Sequence, residues 1–345
     1  MKSAAFLVLA YAHAQSNVTV TEIYSSNNLK VDVYTKTWEP TKGNTVAKMV
    51  FVHGFNDMSS HYNDIFSKFA EAGIKVHAFD QVGCGKTGER ANKLGGAMGM
   101  DRVRIDIDDA IERIYDTKTP LFLMGHSFGG STVIDYLARG NKRDLIYGAI
   151  ASCTPNKNVA NFIAPAFELA PESQPGDLAI DAIRGLAFLT PNVKVHFPLG
   201  KPSKLNKLTD GDVNSLSRNK TYVEERKKES LQTSLWASIQ VRDFINGGKY
   251  ILDGGYKKIK ISRVLIAHGS GDRITNRITS EKVAQLLSRQ DWQKTDRFKM
   301  YPEAYHELHN DVNKDEVIAY YIKWILGQIG TKPFWKKLLP RSKKS

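Results

Sequence analysis

The chain has 345 residues, 41% of them hydrophobic and 25% charged, and a formal net charge of +13. That length can bury a large core, and the composition is that of a globular protein rather than a fibrous or disordered one. No apolar run approaches the ~20 residues of a membrane-spanning helix, and two cysteines are too few for a disulfide-stapled scaffold. In chain order, the first segment differs from the rest. Lys2, the apolar stretch 4–12 and the triplet Ala12-His13-Ala14 outline a secretory signal peptide over residues 1–14, cleaved before Gln15. Secretion, or entry into the secretory pathway, is the expectation. The sequons Asn17-Val18-Thr19 and Asn219-Lys220-Thr221 agree with it.

Residues 18–24 and 29–38 read as strands, then a Glu39-Pro40-Thr41-Lys42-Gly43 turn, then a strand over 48–53 with the apolar run 49–52. A helix over 62–72 carries Ile65, Phe66, Phe69 and Ala70 on one face, and 74–80 is the next strand. A helix over 101–115 is apolar at Val103, Ile107, Ala110, Ile111 and Ile114. Strands over 121–124 and 145–152 flank a helix over 130–139. This alternation predicts right-handed βαβ units and a mostly parallel sheet, the α/β class.

The alternation stops near Thr154. From 155 to 261 the sequence reads as helices and loops, with helices over 159–170, 178–189 and 230–245. It resumes with a strand at 264–268, a helix at 279–287, a strand at 297–301 and a helix at 312–329. The expected organisation is an α/β core over 15–154 and 262–330, a helical cap inserted at 155–261, and a basic tail over 331–345. Phe162, Ile163, Ala166 and Phe167 give the cap an apolar helix face, suited to core packing or to lining an apolar pocket. The tail carries Lys332, Lys336, Lys337, Arg341, Lys343 and Lys344 beside Phe334, Trp335, Leu338 and Leu339. Such a stretch suits peripheral contact with an anionic membrane, or simply a solvated end. No nucleic-acid-binding pattern accompanies the charge, and no Cys/His spacing suggests a metal site. Cys84 and Cys153 should follow strands that are not neighbours, so two free thiols are expected.

Gly125-His126-Ser127-Phe128-Gly129 stands between an apolar strand and a helix. A G-x-S-x-G sequence there makes a strained turn that holds a serine oxygen exposed at the top of a sheet. A serine needs a base to take its proton and an acid to orient that base. In an α/β-hydrolase arrangement these follow later, beyond the carboxyl ends of strands. Asp272, in His268-Gly269-Ser270-Gly271-Asp272, is the candidate acid. His306, in Tyr305-His306-Glu307, is the candidate base, with His309 as the alternative. The oxyanion formed in acyl transfer needs two N–H donors. The amides of Phe128 and of Phe55, in His53-Gly54-Phe55-Asn56, are the candidates.

Five motifs in this order resemble the monoacylglycerol lipases, the fungal branch in particular. They are His53-Gly54-Phe55, Phe79-Asp80-Gln81-x-Gly83-x-Gly85-x-Thr87, Gly125-His126-Ser127-Phe128-Gly129-Gly130, His268-Gly269-x-x-Asp272 and Tyr305-His306-Glu307-Leu308-His309. The resemblance spans about residues 20–328 and implies an α/β-hydrolase with a helical cap over an acyl tunnel. It implies a triad of Ser127, Asp272 and His306, the Phe55 and Phe128 amides as oxyanion hole, no cofactor, and a lipid ester as substrate. Departures from the pattern are Val82 for arginine or proline, Cys84 for histidine or alanine, Asn56 for glycine, and Asn219 ending Ser217-Arg218-Asn219 where aspartate is usual. The same motifs occur in lysophospholipases, serine aminopeptidases and short-chain esterases. A non-catalytic binding protein on the same fold would lack a triad member, and here all three are present.

Overall fold

The computed structural model describes residues 9–10, 17–26, 31–96, 99–153, 177–196, 213–233, 235–246, 248–288 and 297–330. The strands in chain order are β1 (Leu9–Ala10), β2 (Val18–Ser26), β3 (Asp32–Pro40), β4 (Ala47–Val52), β5 (Ile74–Phe79) and β6 (Leu121–His126). They continue with β7 (Gly148–Ser152), β8 (Lys194–His196), β9 (Leu235–Ala237), β10 (Val264–Gly269) and β11 (Phe298–Tyr301). Nine of them form one sheet in the order β1-β2-β3-β5-β4-β6-β7-β10-β11. The first three pairings at the β1 end are antiparallel, and every pairing from β5 to β11 is parallel.

The central strands explain their own sequence. In β4, Met49 and Phe51 face one hydrophobic cluster, with Phe66 and Phe69 of the helix Asn63–Glu71 and Tyr321, Trp324 and Ile325 of Lys314–Gln328. Val50 and Val52 face the other, with Ile107 of the helix Gly99–Ile114 and Val133 and Ile134 of Phe128–Arg139. A strand covered on both faces has no polar side, hence the unbroken apolar run. Full burial of each such side chain contributes about 1.5–3 kcal/mol. The parallel order leaves β5 and β7 separated by β4 and β6, and Cys84 and Cys153 are both free and buried.

Between β7 and β10 the described residues add no strand to the large sheet. The helix Asp177–Leu189 packs on the helix Ser238–Asn246. The structure differs from the sequence reading here in three places. β8 and β9 pair antiparallel, where no strand was expected; at three residues each they are too short to show alternation. The helix read over 230–245 starts only at Ser238, because the preceding residues turn and extend, with Trp236 Nε1 donating to the Thr233 carbonyl at 2.9 Å. The helix Lys220–Lys227 is absent from the sequence reading, since only Val223 and Arg226 are buried in it and no apolar stripe marks it. The expected helix 159–170, the start of the expected strand 29–38, the tail 331–345 and, but for Leu9 and Ala10, the leader lie outside the described residues.

Candidate active site

Ser127 joins β6 to the helix Phe128–Arg139 with φ +53° and ψ −122°, a backbone conformation that costs free energy and persists only where surroundings fix it. Those surroundings are tight. A Cβ on Gly125 would stand 2.2 Å from the Gly129 carbonyl oxygen, and one on Gly129 2.0 Å from the Val52 carbonyl oxygen. Glycine is therefore required on both sides of the serine. Ser127 N–H donates to the Ser152 carbonyl of β7 at 2.9 Å, and its own carbonyl accepts from Ser131 N–H at 3.1 Å. The His53-Gly54 turn after β4 runs alongside: a Cβ on Gly54 would lie 3.2 Å from Ser127 Cβ. Phe55 and Phe128 thus belong to the two backbone segments that flank Ser127.

The candidate acid and base meet although 34 residues separate them. Asp272 follows β10 and His306 follows β11, which pair in parallel. His306 Nδ1 donates to Asp272 Oδ2 at 2.8 Å. Asp272 Oδ1 accepts from the backbone N–H groups of Ile274 and Thr275 at 2.8 and 2.9 Å. Burial opposes the charge on Asp272, but His306 and His268 outweigh it and hold the carboxyl well below its ordinary range. His309 is elsewhere. It stacks on Tyr62 at 4.5 Å, and burial, then His126, keep it neutral, with its pKa down at about 3.

Around Ser127 and His306 lies a buried polar network that the motifs leave unread. Asp57 accepts from the Tyr62 hydroxyl and from His61 Nδ1, and the Tyr62 oxygen lies 2.9 Å from His126 Nδ1. His126 Nε2 donates to the His306 carbonyl at 3.2 Å. With the Tyr62 proton given to Asp57, His126 donates from both ring nitrogens and is the imidazolium. Burial lowers its pKa, but Asp57 and Glu307 more than restore it, so it is raised. Glu307, next to the candidate base, accepts from Tyr222, Asn310 and Arg226. Tyr222 and Arg226 come from the helix Lys220–Lys227, and Arg226 Nη1 also lies 3.0 and 2.9 Å from the two ring nitrogens of His61. Ser217-Arg218-Asn219 fastens the same helix: Ser217 donates to the Asn310 carbonyl, Arg218 binds Asp311, and Asn219 caps Tyr222 N–H. Sequence adjacency to Ser127 and His306 was a signal for His126 and Glu307; nothing local marks Arg226.

Three of the four departures from the motif pattern, Asn56, Cys84 and the Asn219 cap just described, have physical accounts. Asn56 has φ +53°, which asparagine tolerates in place of glycine, and its Oδ1 accepts from Thr233 N–H at 3.1 Å. Cys84 packs with Trp236, Val241 and Phe55, and burial raises its thiol pKa. Nothing in the structure explains Val82. Phe162, Ile163, Ala166 and Phe167 lie outside the described residues. Among the described residues, His126, Cys153 and His306 have potential ligand atoms within 4.8 Å of one another. The ring nitrogens that face Asp272, Tyr62 and the His306 carbonyl are already committed, so the cluster is part of this hydrogen-bonded site.

A nine-strand order ending β7-β10-β11, a strained serine after β6 and an Asp–His pair after the last two strands define an α/β-hydrolase. The serine aminopeptidase S33 family matches residues 43–313, and the chain belongs to that family. A Schizosaccharomyces pombe protein, provisionally named a monoglyceride lipase, is 31% identical over 306 residues, 85% of this chain and 71% of that protein. Two crystal structures share the fold. A soluble variant of the Saccharomyces cerevisiae monoglyceride lipase, with a substrate analogue, has a TM-score of 0.69 at 18% identity, covering 95% of this chain and 98% of that one. The Paleococcus ferrophilus monoacylglycerol lipase has a TM-score of 0.66 at 23% identity, covering 86% and 99%.

Proposed function

We propose that the chain is a serine ester hydrolase that cleaves monoacylglycerol to fatty acid and glycerol through an acyl-enzyme. The observations that carry this are the Asp272–His306 hydrogen bond and the bond from His126, the neighbour of a serine held in a strained strand-to-helix turn, to the His306 carbonyl. His306 takes the Ser127 proton as Oγ attacks the ester carbonyl, and Asp272 stabilises the imidazolium. The N–H groups of Phe55 and Phe128 receive the oxyanion. The imidazolium then protonates the leaving glycerol oxygen, and a water deprotonated by His306 releases the fatty acid. The substrate class rests on the relatives named monoglyceride lipases. The test is an activity panel of purified protein with monoacylglycerols, lysophospholipids, triacylglycerols and aminoacyl amides. Preference for monoacylglycerol supports the reading; preference for an aminoacyl amide overturns it.

Residues 155–261 act in this reading as a cap, with Phe162, Ile163, Ala166 and Phe167 along the acyl chain. Each buried CH₂ contributes about 0.8 kcal/mol, so affinity climbs with chain length until the pocket is full. A flat response from acetyl to long-chain esters overturns it. The secretory leader remains part of the proposal. Cleavage after Ala14 removes β1, and sequencing of the native protein begins at Gln15; an intact Met1 in a cytosolic fraction contradicts it. The tail 331–345 adds weak, salt-sensitive attraction to anionic vesicles, measured by co-sedimentation with and without those residues. Equal sedimentation of both forms leaves it a solvated end.

A further inference from the structure

Asp272 serves two histidines. Its Oδ2 accepts from His306 Nδ1 at 2.8 Å and lies 3.1 Å from Nε2 of His268, the fifth residue of β10. The Thr275 hydroxyl donates to the same oxygen at 2.6 Å. That fixes the hydroxyl proton, so the Thr275 oxygen lone pairs face the two imidazoles, 3.3 Å from His306 Nδ1 and 3.3 Å from His268 Nε2. His268 Nε2 is also 3.3 Å from the Thr275 carbonyl, which can only accept. His268 Nε2 therefore carries a proton. Its Nδ1 lies 2.8 Å from the Ser280 hydroxyl, which on a neutral ring donates to it and holds that tautomer. His268, Thr275 and Ser280 are fully buried. A core histidine needs partners, but these partners converge on one carboxylate oxygen of the candidate acid.

We propose that His268 is a positioning residue for the triad, a second imidazole N–H that fixes the Asp272 carboxylate and shares its charge with His306. The inference rests on Ser127, Asp272 and His306 forming the triad. An aspartate carboxyl turns readily about its last torsion, and the oxygen facing His306 is set by its other donors. Three donors also divide the charge of Oδ2. Without His268, Asp272 holds the His306 imidazolium more strongly, and the acid limb of the rate profile moves to higher pH. Cys153 also faces this carboxylate; burial and Asp272 keep its thiol well above the ordinary range, so it stays neutral across that limb.

The experiment measures kcat/KM against pH for His268→Ala, His268→Gln and Ser280→Ala, with Ser127→Ala and Asp272→Asn as references. Folding is checked by circular dichroism and melting temperature. His268→Ala should lower kcat by about tenfold to a hundredfold, as small misplacements of reacting groups do, and raise the acid-limb pKa. His268→Gln, whose amide N–H can reach the same oxygen, should restore much of both. A folded His268→Ala with an unmoved acid limb overturns the proposal, as does a His268→Gln displaced as far as alanine. Should His268→Ala not fold, Ser280→Ala reads the same relay, since loss of its hydroxyl frees the other tautomer. An unmoved limb there overturns the proposal. If Ser127→Ala and Asp272→Asn are themselves active, the triad reading has failed instead.

Discussion

The ion pair between Arg226 and Glu307 should couple the helix Lys220–Lys227 to the base strongly enough to measure. The two side chains are 6% and 4% exposed, and Nη2 lies 3.4 Å from Oε1. Burial opposes both charges; the surrounding opposite charges overcome it, raising the Arg226 pKa and lowering that of Glu307. Replacing either with methionine leaves the other charge buried without its partner in this ion pair, which costs about 3–5 kcal/mol. That is a large part of a total stability of ~5–15 kcal/mol. In a chain this long, with an unfolding entropy of about 0.7 kcal/mol/K, it corresponds to a fall in melting temperature of roughly 4–7 °C. Arg226→Met/Glu307→Met removes both charges and should cost at least about 2 kcal/mol less than the sum of the single changes. Lys260 and Asp144 are 69% and 64% exposed, so Lys260→Met is the control, expected within about 1 kcal/mol of wild type. Urea unfolding of the four proteins and the control gives the cycle, and ester hydrolysis should fall with Glu307→Met but not with Lys260→Met. Single changes of under about 1 kcal/mol that add without coupling would refute the reasoning.

Other outcomes follow from the same geometry. Gly54→Ala places a Cβ 3.2 Å from Ser127 Cβ, so activity should drop while the protein still folds; Gly129→Ala, 2.0 Å from the Val52 carbonyl, should abolish soluble expression. Wild-type rates in Gly54→Ala would show that the turn does not abut the serine. Stability should also depend on pH. His61 and His126 have folded pKa values raised above 6.5, against burial, by Asp57 and, for His61, Glu229. Their contribution is complete below about pH 6.5 and is lost as pH rises through the folded values. Asp57, held well below 3.8 by His126 and His61 despite burial, contributes above that value and loses its share in acid. Urea unfolding at pH 6 and pH 9 should show the decline, and His126→Asn should flatten it; a wild-type chain more stable at pH 9 than at pH 6 would contradict this.

The sequence disclosed most where local pattern and burial coincide. The run 49–52 and the run 121–124 are apolar throughout because both faces of β4 and β6 are covered, so strand and class were legible. Ser127 was legible because its turn demands glycine at 125 and 129. Asp272 and His306 followed from chain order, and the parallel pairing of β10 and β11 brings them together. What stayed hidden is long-range and polar. Arg226 sits 81 residues from Glu307 on a helix with almost no apolar face. His268 looked like part of a motif, and its hold on Asp272 depends on a fold-back of the loop through Thr275. β8 and β9 are too short for periodicity to reveal them.

The most direct test of the account is covalent. The protein is treated with a fluorophosphonate, digested and read by mass spectrometry, beside monoacylglycerol hydrolysis by wild type and Ser127→Ala. The account predicts a single phosphonylated peptide modified at Ser127, hydrolysis blocked in proportion to labelling, and a loss of at least about a thousandfold in kcat for Ser127→Ala. Labelling at another residue, or near-wild-type hydrolysis by Ser127→Ala, would contradict it.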